Sequence, residues 1–464
     1  MIELIKKEKN FLLLTFSLSL VIKAIFFLIF LKNNPCLLLF DSEHYHKIAL
    51  SLVSGNGFYN LDGVTPQFYR MPGYPVFLAG CYKLFGIQQI AVIILQTCLS
   101  SFIPLLIFLL TLTLLPSQLR TAKLASLAAC IDLGYIIFSG LIMSEILFTI
   151  FFTFFLILFL YNYTPFFCKK ESLISDNHPI FRLFLAGIIL GIAGLIRPVG
   201  YPVLLTSIFL LLISKDKILK KIKSITVIST GFICVLSIWI MRNFILTGYI
   251  FMHTLSGPHF LNHTAVRLCM IDEKITYEQA QKKVYAELKN FEIAENNSLG
   301  RPLQEIEFCQ LAEKLAISYM LKNPVLTAQH FISNMLKTTF GLYSSELLMI
   351  DSKGQLPEYS NNRSVKSIFK RFLLPDVNNK FIILVIYFEI IFFLFLLFGL
   401  VMFIIKAIFD REKICVLIKA LPFICCLIFL TLSCGYARLR LPIESFLIIL
   451  AIKEWQFLFS KKGE

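Results

Sequence analysis

This chain encodes an all-α polytopic membrane protein with about ten transmembrane helices, or between about 8 and 13. Of its 464 residues, 57% are hydrophobic and only 16% are charged, and the mean hydropathy is +0.76. A soluble domain of this length carries far more charge, so the bilayer must serve as solvent for much of the chain. Apolar runs of the length needed to cross a membrane, about 20 residues, recur from end to end. Lysine and arginine gather in short clusters between those runs, as the positive-inside rule expects of cytoplasmic loops. The formal net charge of +15 therefore reflects topology. No basic face interleaved with aromatic residues is present, which argues against a nucleic-acid partner.

The first run, residues 11–31, follows Lys6, Lys7 and Lys9 and lacks a small-residue cleavage site, so it reads as a retained helix with a cytoplasmic N-terminus. Residues 32–88 form the first outer loop, and a span over 90–115 returns to Arg120 and Lys123. Spans over 124–141 and 145–163 follow, then an inner loop with Lys169, Lys170 and Arg182. Residues 183–213 form a tight pair of spans broken at Arg197-Pro198-Val199-Gly200, where proline and glycine end one helix and start the next. After a basic loop with Lys215, Lys217, Lys220, Lys221 and Lys223, a further span ends at Arg242. The N-terminal region 1–243 is thus a transmembrane core.

Residues 244–380 contain no span but show helical apolar spacing, interrupted at Asn323-Pro324, and read as an extracytoplasmic, mainly helical segment. Residues 381–464 return as transmembrane helices around Lys406, Arg411, Lys413 and Lys419, ending at Lys461-Lys462 inside. Most of the 12 cysteines lie in apolar runs, with no metal-binding spacing. Cys269 and Cys309 in the outer segment either pair or remain thiols.

Charged groups at the membrane are costly, and those at the outer ends of helices are the candidate site. Asp41, in Asp41-Ser42-Glu43-His44-Tyr45-His46, follows an apolar stretch at 37–40 and could accept a proton from an attacking hydroxyl or amine; a solvated loop acid is the plain alternative. In Gln67-Phe68-Tyr69-Arg70-Met71-Pro72-Gly73-Tyr74-Pro75, a turn presents Arg70 beside aromatic rings. Its guanidinium suits a lipid phosphate, whether of a substrate or of ordinary headgroups. Glu145 opens an apolar helix, where it faces a polar cavity or simply complements the helix dipole. Arg197, Arg242, Arg438 and Arg440 also fall at outer ends, as an anionic substrate would require, although any one of them could snorkel. Lys23 in the first span faces that cavity or snorkels. The stretch 70–76 is echoed at 197–203, a shared way to start a helix at an interface. His44 and His46 have a strand-like metal spacing, and His253, His259 and His263 are scattered. A divalent metal stays open, with Asp41 and Glu145 as its candidate ligands. No Walker loop, GxSxG elbow or HExxH motif occurs.

These motifs resemble those of the GT-C glycosyltransferases, in the branch of the protein O-mannosyltransferases and the lipid A aminoarabinose transferase. The resemblance rests on Asp41-x3-Tyr45-x3-Ala49, Gly55-x-Gly57-Phe58 and Arg70-x-Pro72-Gly73-Tyr74-Pro75. It continues through Ser144-Glu145, Arg197-Pro198, Arg242-Asn243 with Gly248, and Arg438-Leu439-Arg440-Leu441-Pro442. It implies juxtamembrane helices in the first outer loop and an outward-facing cavity. It further implies transfer of a hexosyl or pentosyl unit from a polyprenyl-phosphate-linked donor to an envelope lipid, glycan or protein. By that likeness Asp41 is catalytic, Arg70 holds the donor phosphate and Glu145 is the second acid. Tyr45, Tyr69, Arg197, Arg242, Arg438 and Arg440 complete the substrate-binding set. Where many relatives carry two adjacent acids, this chain has Asp41-Ser42. The implied location is the inner membrane of a bacterium, with both termini cytoplasmic and the site facing the exterior. The rival readings are a transporter or flippase of lipid-linked sugars, and a polysaccharide polymerase or ligase.

Overall fold

Leucine, isoleucine and phenylalanine runs without an internal breaker become helices, and proline or glycine marks many of the places where one helix gives way to the next. The computed structural model describes residues 2–30, 41–161, 163, 179–351 and 380–460. The apolar stretch at 37–40, Lys169, Lys170, residues 352–379 and Lys461-Lys462 lie outside the described residues.

In chain order the helices are α1 (Ile2–Lys7), α2 (Lys9–Phe30), α3 (Asp41–Val53), α4 (Gly73–Phe85), α5 (Gln89–Ser100) and α6 (Ile103–Leu114). Then come α7 (Leu119–Cys130), α8 (Leu133–Ser139), α9 (Glu145–Leu160), α10 (Pro179–Ile196), α11 (Gly200–Leu212) and α12 (Ile218–Thr247). A second group comprises α13 (Ser256–Phe260), a π-helical turn (Leu261–Ala265), α14 (Val266–Asp272), α15 (Tyr277–Leu299), α16 (Glu305–Lys322), α17 (Pro324–Phe340) and α18 (Ser344–Asp351). The chain closes with α19 (Lys380–Ala407), α20 (Arg411–Phe429), a 3-10 helix (Ala437–Ile443) and α21 (Glu444–Ser460). Among the described residues the sole extended pairing is a bridge between Tyr59 and Pro66.

Five helical stretches among the described residues, α2, α5 with α6, α10, α12 and α19, are long and apolar enough to cross a membrane, or six if α7 and α8, bent by 46°, count as one span. The expectation of about ten is not reached by this measure. The apolar α9 and α11 are shorter, at 16 and 13 residues. The region between α12 and α19 contributes helices but no candidate span among the described residues.

One core runs through the apolar helices, centred on α9. Phe148 stacks on Phe152 and Phe155 on Phe159, while the ring of Phe423 from α20 meets Phe152, Phe155 and Phe159 edge-on. Helices α10 and α12 pack backbone to backbone. A Cβ on Gly187 would lie 2.2 Å from the carbonyl oxygen of Ile228, and one on Gly231 would lie 2.4 Å from that of Phe184. In lipid, where apolar side chains gain little by leaving the bilayer, such close approach is a main source of helix association.

A smaller core gathers Leu261, Val266, Cys269, Val284, Leu288 and Leu315 from the helices after α12. Cys269 and Cys309 are both buried free thiols, so the pairing entertained from sequence is not made. Lys23 neither snorkels nor enters a polar cavity. It is 1% exposed, and its Nζ donates to Ser19 Oγ at 3.0 Å and to the Ser100 carbonyl at 2.8 Å.

Candidate functional site

Five of the charged groups singled out from sequence converge, and helix ends bring them together. Asp41 is the first residue of α3 and Glu145 the first of α9, where the helix dipole favours a carboxylate. Arg70 and Arg197 each stand three residues before a helix that opens Gly-Tyr-Pro-Val, α4 and α11 respectively, as the sequence echo predicts. The two starts are joined through α10, because a Cβ on Gly73 would come within 2.8 Å of the backbone nitrogen of Ile196, the residue before Arg197. Arg438 comes from the 3-10 helix, whose proline leads into α21.

Arg70 Nη2 donates to Asp41 Oδ1 at 2.5 Å, and Arg438 Nη2 lies 3.1 Å from Asp41 Oδ2. Arg197 Nη1 is 2.7 Å from Glu145 Oε1, and Arg438 Nε is 4.0 Å from the same oxygen. The Arg70 guanidinium lies against the rings of Tyr45 and Tyr69, at 5.2 and 5.0 Å. The Tyr45 hydroxyl faces Ser144 Oγ at 3.4 Å. Burial alone would push the Asp41 carboxyl up; Arg438 and Arg70 outweigh it and hold the group well below the usual carboxylate range.

Three buried polar atoms in the cluster have no hydrogen-bond partner among the described residues: Arg70 Nε, Arg438 Nε and Glu145 Oε2. Unsatisfied donors inside a protein are costly, so two guanidiniums offering free N–H groups make a receptor for an anion. A divalent cation fits these residues poorly. Both oxygens of Asp41 and one of Glu145 already face arginine, and no group of three potential ligands is gathered among the described residues.

Arg242 and Arg440, expected with the others, are engaged elsewhere. Arg242 donates to the carbonyls of Phe58 and Gln67 at 2.8 and 3.0 Å and lies against Phe68 and Trp239, so it clamps the segment between α3 and α4. Arg440 is 2% exposed and binds Glu444 at 2.6 Å and the carbonyls of Thr339 and Gly341 at 2.6 and 3.0 Å. Both are drawn away by backbone carbonyls, which a sequence does not display.

His46 bonds Tyr82 through Nδ1 at 2.7 Å, and the ring of His44 meets Tyr69 edge-on, so the two do not act as a metal pair. His259 and His263, which looked scattered, come within 4.5 Å of each other, centroid to centroid. The intervening turn is π-helical, a form frequent at functional sites. Burial lowers His259 to about 3, and burial likewise lowers His263, so both rings are neutral beside the arginines. Their i, i+4 spacing was the signal available in the sequence. Glu346, in the first turn of α18, was also missed: it is 6% exposed and feels the charges of Arg438, Glu145 and Asp41.

No family model matches this chain, and no curated protein does. Among solved structures it is similar to the oligosaccharyltransferase AglB from Archaeoglobus fulgidus in complex with an inhibitory peptide and a dolichol-phosphate. The identity is 13%, with 98% of this chain and 51% of that chain covered and a TM-score of 0.50. Another structure of an oligosaccharyltransferase from that organism, tethered to an acceptor peptide, matches at 12% identity over 98% and 50% of the two chains, with a TM-score of 0.49. ArnT from Cupriavidus metallidurans bound to undecaprenyl phosphate matches at 11% identity over 93% and 77%, with a TM-score of 0.41. This chain therefore shares its fold with that AglB structure over 98% of its length, and it spans about half the length of the oligosaccharyltransferase chains it matches.

Proposed function

We propose that this protein is a membrane glycosyltransferase that moves a hexosyl or pentosyl unit from a polyprenyl-phosphate-linked donor to an envelope lipid, glycan or protein. The reaction takes place on the exterior face of a bacterial inner membrane, with both chain termini cytoplasmic. The observation that carries this reading is the pair of guanidiniums, Arg70 and Arg438, that converge on Asp41 while each keeps a buried, unpartnered Nε. Such a pair receives a lipid phosphate and stabilises the charge that grows on it as it leaves.

In this mechanism Arg70 and Arg438 hold the donor phosphate, flanked by Tyr45 and Tyr69. Arg197 fixes Glu145, whose free Oε2 accepts a hydrogen bond from a sugar hydroxyl. Asp41 stays ionised, keeps both arginines in place and orients the attacking group of the acceptor. The acceptor oxygen or nitrogen bonds to the anomeric carbon as the bond from that carbon to the phosphate oxygen breaks. The electron pair leaves with the phosphate, the acceptor's proton passes to a carboxylate, and the anomeric configuration inverts.

The test is mass spectrometry of polyprenyl-linked sugars and envelope glycans in cells with and without the gene, complemented by wild type or Asp41→Asn. The expected result is that a lipid-linked sugar accumulates without the gene and one glycoform disappears, with rescue by wild type alone. Full rescue by Asp41→Asn would refute the catalytic assignment. An unchanged profile without the gene would refute the transferase reading.

A further inference from the structure

Sugar transfer to a hydroxyl or amine releases a proton, and the group that takes it works best with a proton affinity near the working pH. Asp41 is ill suited, since two guanidiniums hold it well below the usual carboxylate range. Glu145 is bound through Oε1 to Arg197.

A third carboxylate, Glu346, stands in the first turn of α18, directly after residues bound to Glu444 and to Arg440, the latter two positions from Arg438 in the 3-10 helix. Glu346 is 6% exposed, and no hydrogen bond or ion pair to its side chain is formed among the described residues. The charges acting on it are those of Arg438 from the 3-10 helix, Glu145 from α9 and Asp41 from α3. An unpaired carboxylate at this depth is expensive, so something must hold it there.

The hold is on its backbone. The Tyr343 and Ser344 N–H groups, at the N-terminus of α18, donate to the two oxygens of Glu389 in α19, at 2.5 and 2.9 Å. The Tyr343 hydroxyl donates to Glu444 at 2.7 Å, and Arg440 binds the Gly341 carbonyl at 3.0 Å. Leu347, the next residue, is 1% exposed within the main core. This buried scaffold engages both oxygens of Glu389 and one oxygen of Glu444, and it fixes the backbone at the first turn of α18, from which Glu346 projects.

Resting on the transferase reading above, we propose that Glu346 is the catalytic base: its carboxylate takes the proton from the acceptor's O–H or N–H as that atom bonds to the anomeric carbon. The departing phosphate keeps the electron pair of the broken bond, and the proton on Glu346 then returns to solvent or to that phosphate. Burial raises this carboxyl, Arg438 opposes it, and Glu145 with Asp41 adds to the rise, to about 7. This value suits a group that must gain and lose a proton in each turnover.

The experiment uses the full-length protein in nanodiscs, with the lipid-linked sugar purified from cells lacking the gene as donor. The rate is measured from pH 5 to 9 for wild type, Glu346→Gln and Glu346→Asp. Wild-type kcat is expected to rise through a limb centred near 7. Glu346→Gln should lower kcat by about 100- to 10,000-fold and abolish that limb, with donor KM changed less than about threefold. Glu346→Asp should keep the limb at a reduced rate. Substrate-free infrared spectra should show a carboxyl band that titrates near neutrality in wild type and is missing in Glu346→Gln.

A Glu346→Gln protein that turns over within about threefold of wild type, or keeps the limb, overturns the assignment alone. So does a carboxyl band that persists in that variant. Failure of the wild type to transfer from any polyprenyl-phosphate donor overturns the transferase reading, and the role of Glu346 with it.

Discussion

Replacing Glu346 with glutamine should stabilise the protein, by an amount that grows as pH rises from about 4.5 and levels off above about 7. The carboxyl is buried without a partner among the described residues, and burial raises it from 4.5 to about 7. A raised acid favours the neutral form in the fold. Its contribution to stability is therefore fully present below about pH 4.5 and is lost as pH climbs through 7. Each pKa unit is worth about 1.4 kcal/mol, so the loss approaches about 3 kcal/mol by pH 8. Glutamine keeps the shape and never ionises, so it escapes that loss.

The assay is unfolding in mixed micelles, followed by circular dichroism from pH 4.5 to 8.5 for wild type and Glu346→Gln in parallel. Other groups titrate in both proteins, so the informative quantity is the gap between them. That gap should be near zero at the acid end and open by several degrees in midpoint at the alkaline end. A gap independent of pH would refute the claim that this carboxylate is buried and unpaired.

Two further outcomes follow from the cluster and from the first span. Arg70→Met and Arg438→Met should each weaken binding of undecaprenyl phosphate by about 10- to 100-fold, since a charge-assisted hydrogen bond is lost and Asp41 then faces the phosphate; titration in nanodiscs measures it, and unchanged affinity removes their role. Lys23→Met should fall within about 1.5 kcal/mol of wild type, because a buried ammonium is exchanged for an apolar chain of similar volume. Lys23→Ala should cost about 2–4 kcal/mol through the cavity it leaves. Both should retain transfer, and a well-folded Lys23→Met protein without activity would place Lys23 in the site after all.

The parts of the site that were legible in sequence share one physical signature. Asp41, Arg70, Glu145, Arg197 and Arg438 are charges at the ends of apolar runs, Arg70 and Arg197 close to a proline, and each is at or near a helix start. That signature locates a residue along its own helix but does not say what it meets across the fold. Arg242 and Arg440 carry the same mark, and long-range backbone carbonyls claimed them. Glu346 was opaque for the converse reason: its burial depends on Glu389 and Glu444, which are distant in the chain. The number of spans was the least legible feature, because hydropathy alone does not reveal a 46° bend between α7 and α8 or the shortness of α9 and α11.

The pairing of Arg70 and Arg438 with Asp41 bears on how a lipid-recognising site keeps its selectivity. A bilayer offers ordinary phospholipid phosphates in vast excess over any rare carrier. Bare guanidiniums beside it would fill with the commonest headgroup. On the proposed function, an incoming phosphate meets arginines whose charge a carboxylate already offsets, so charge alone gains it little. Discrimination then falls on whatever else the ligand brings, namely its isoprenoid chain and its sugar. The cluster thus discounts the chemistry that all membrane phospholipids share and leaves the rare carrier to be chosen by what sets it apart.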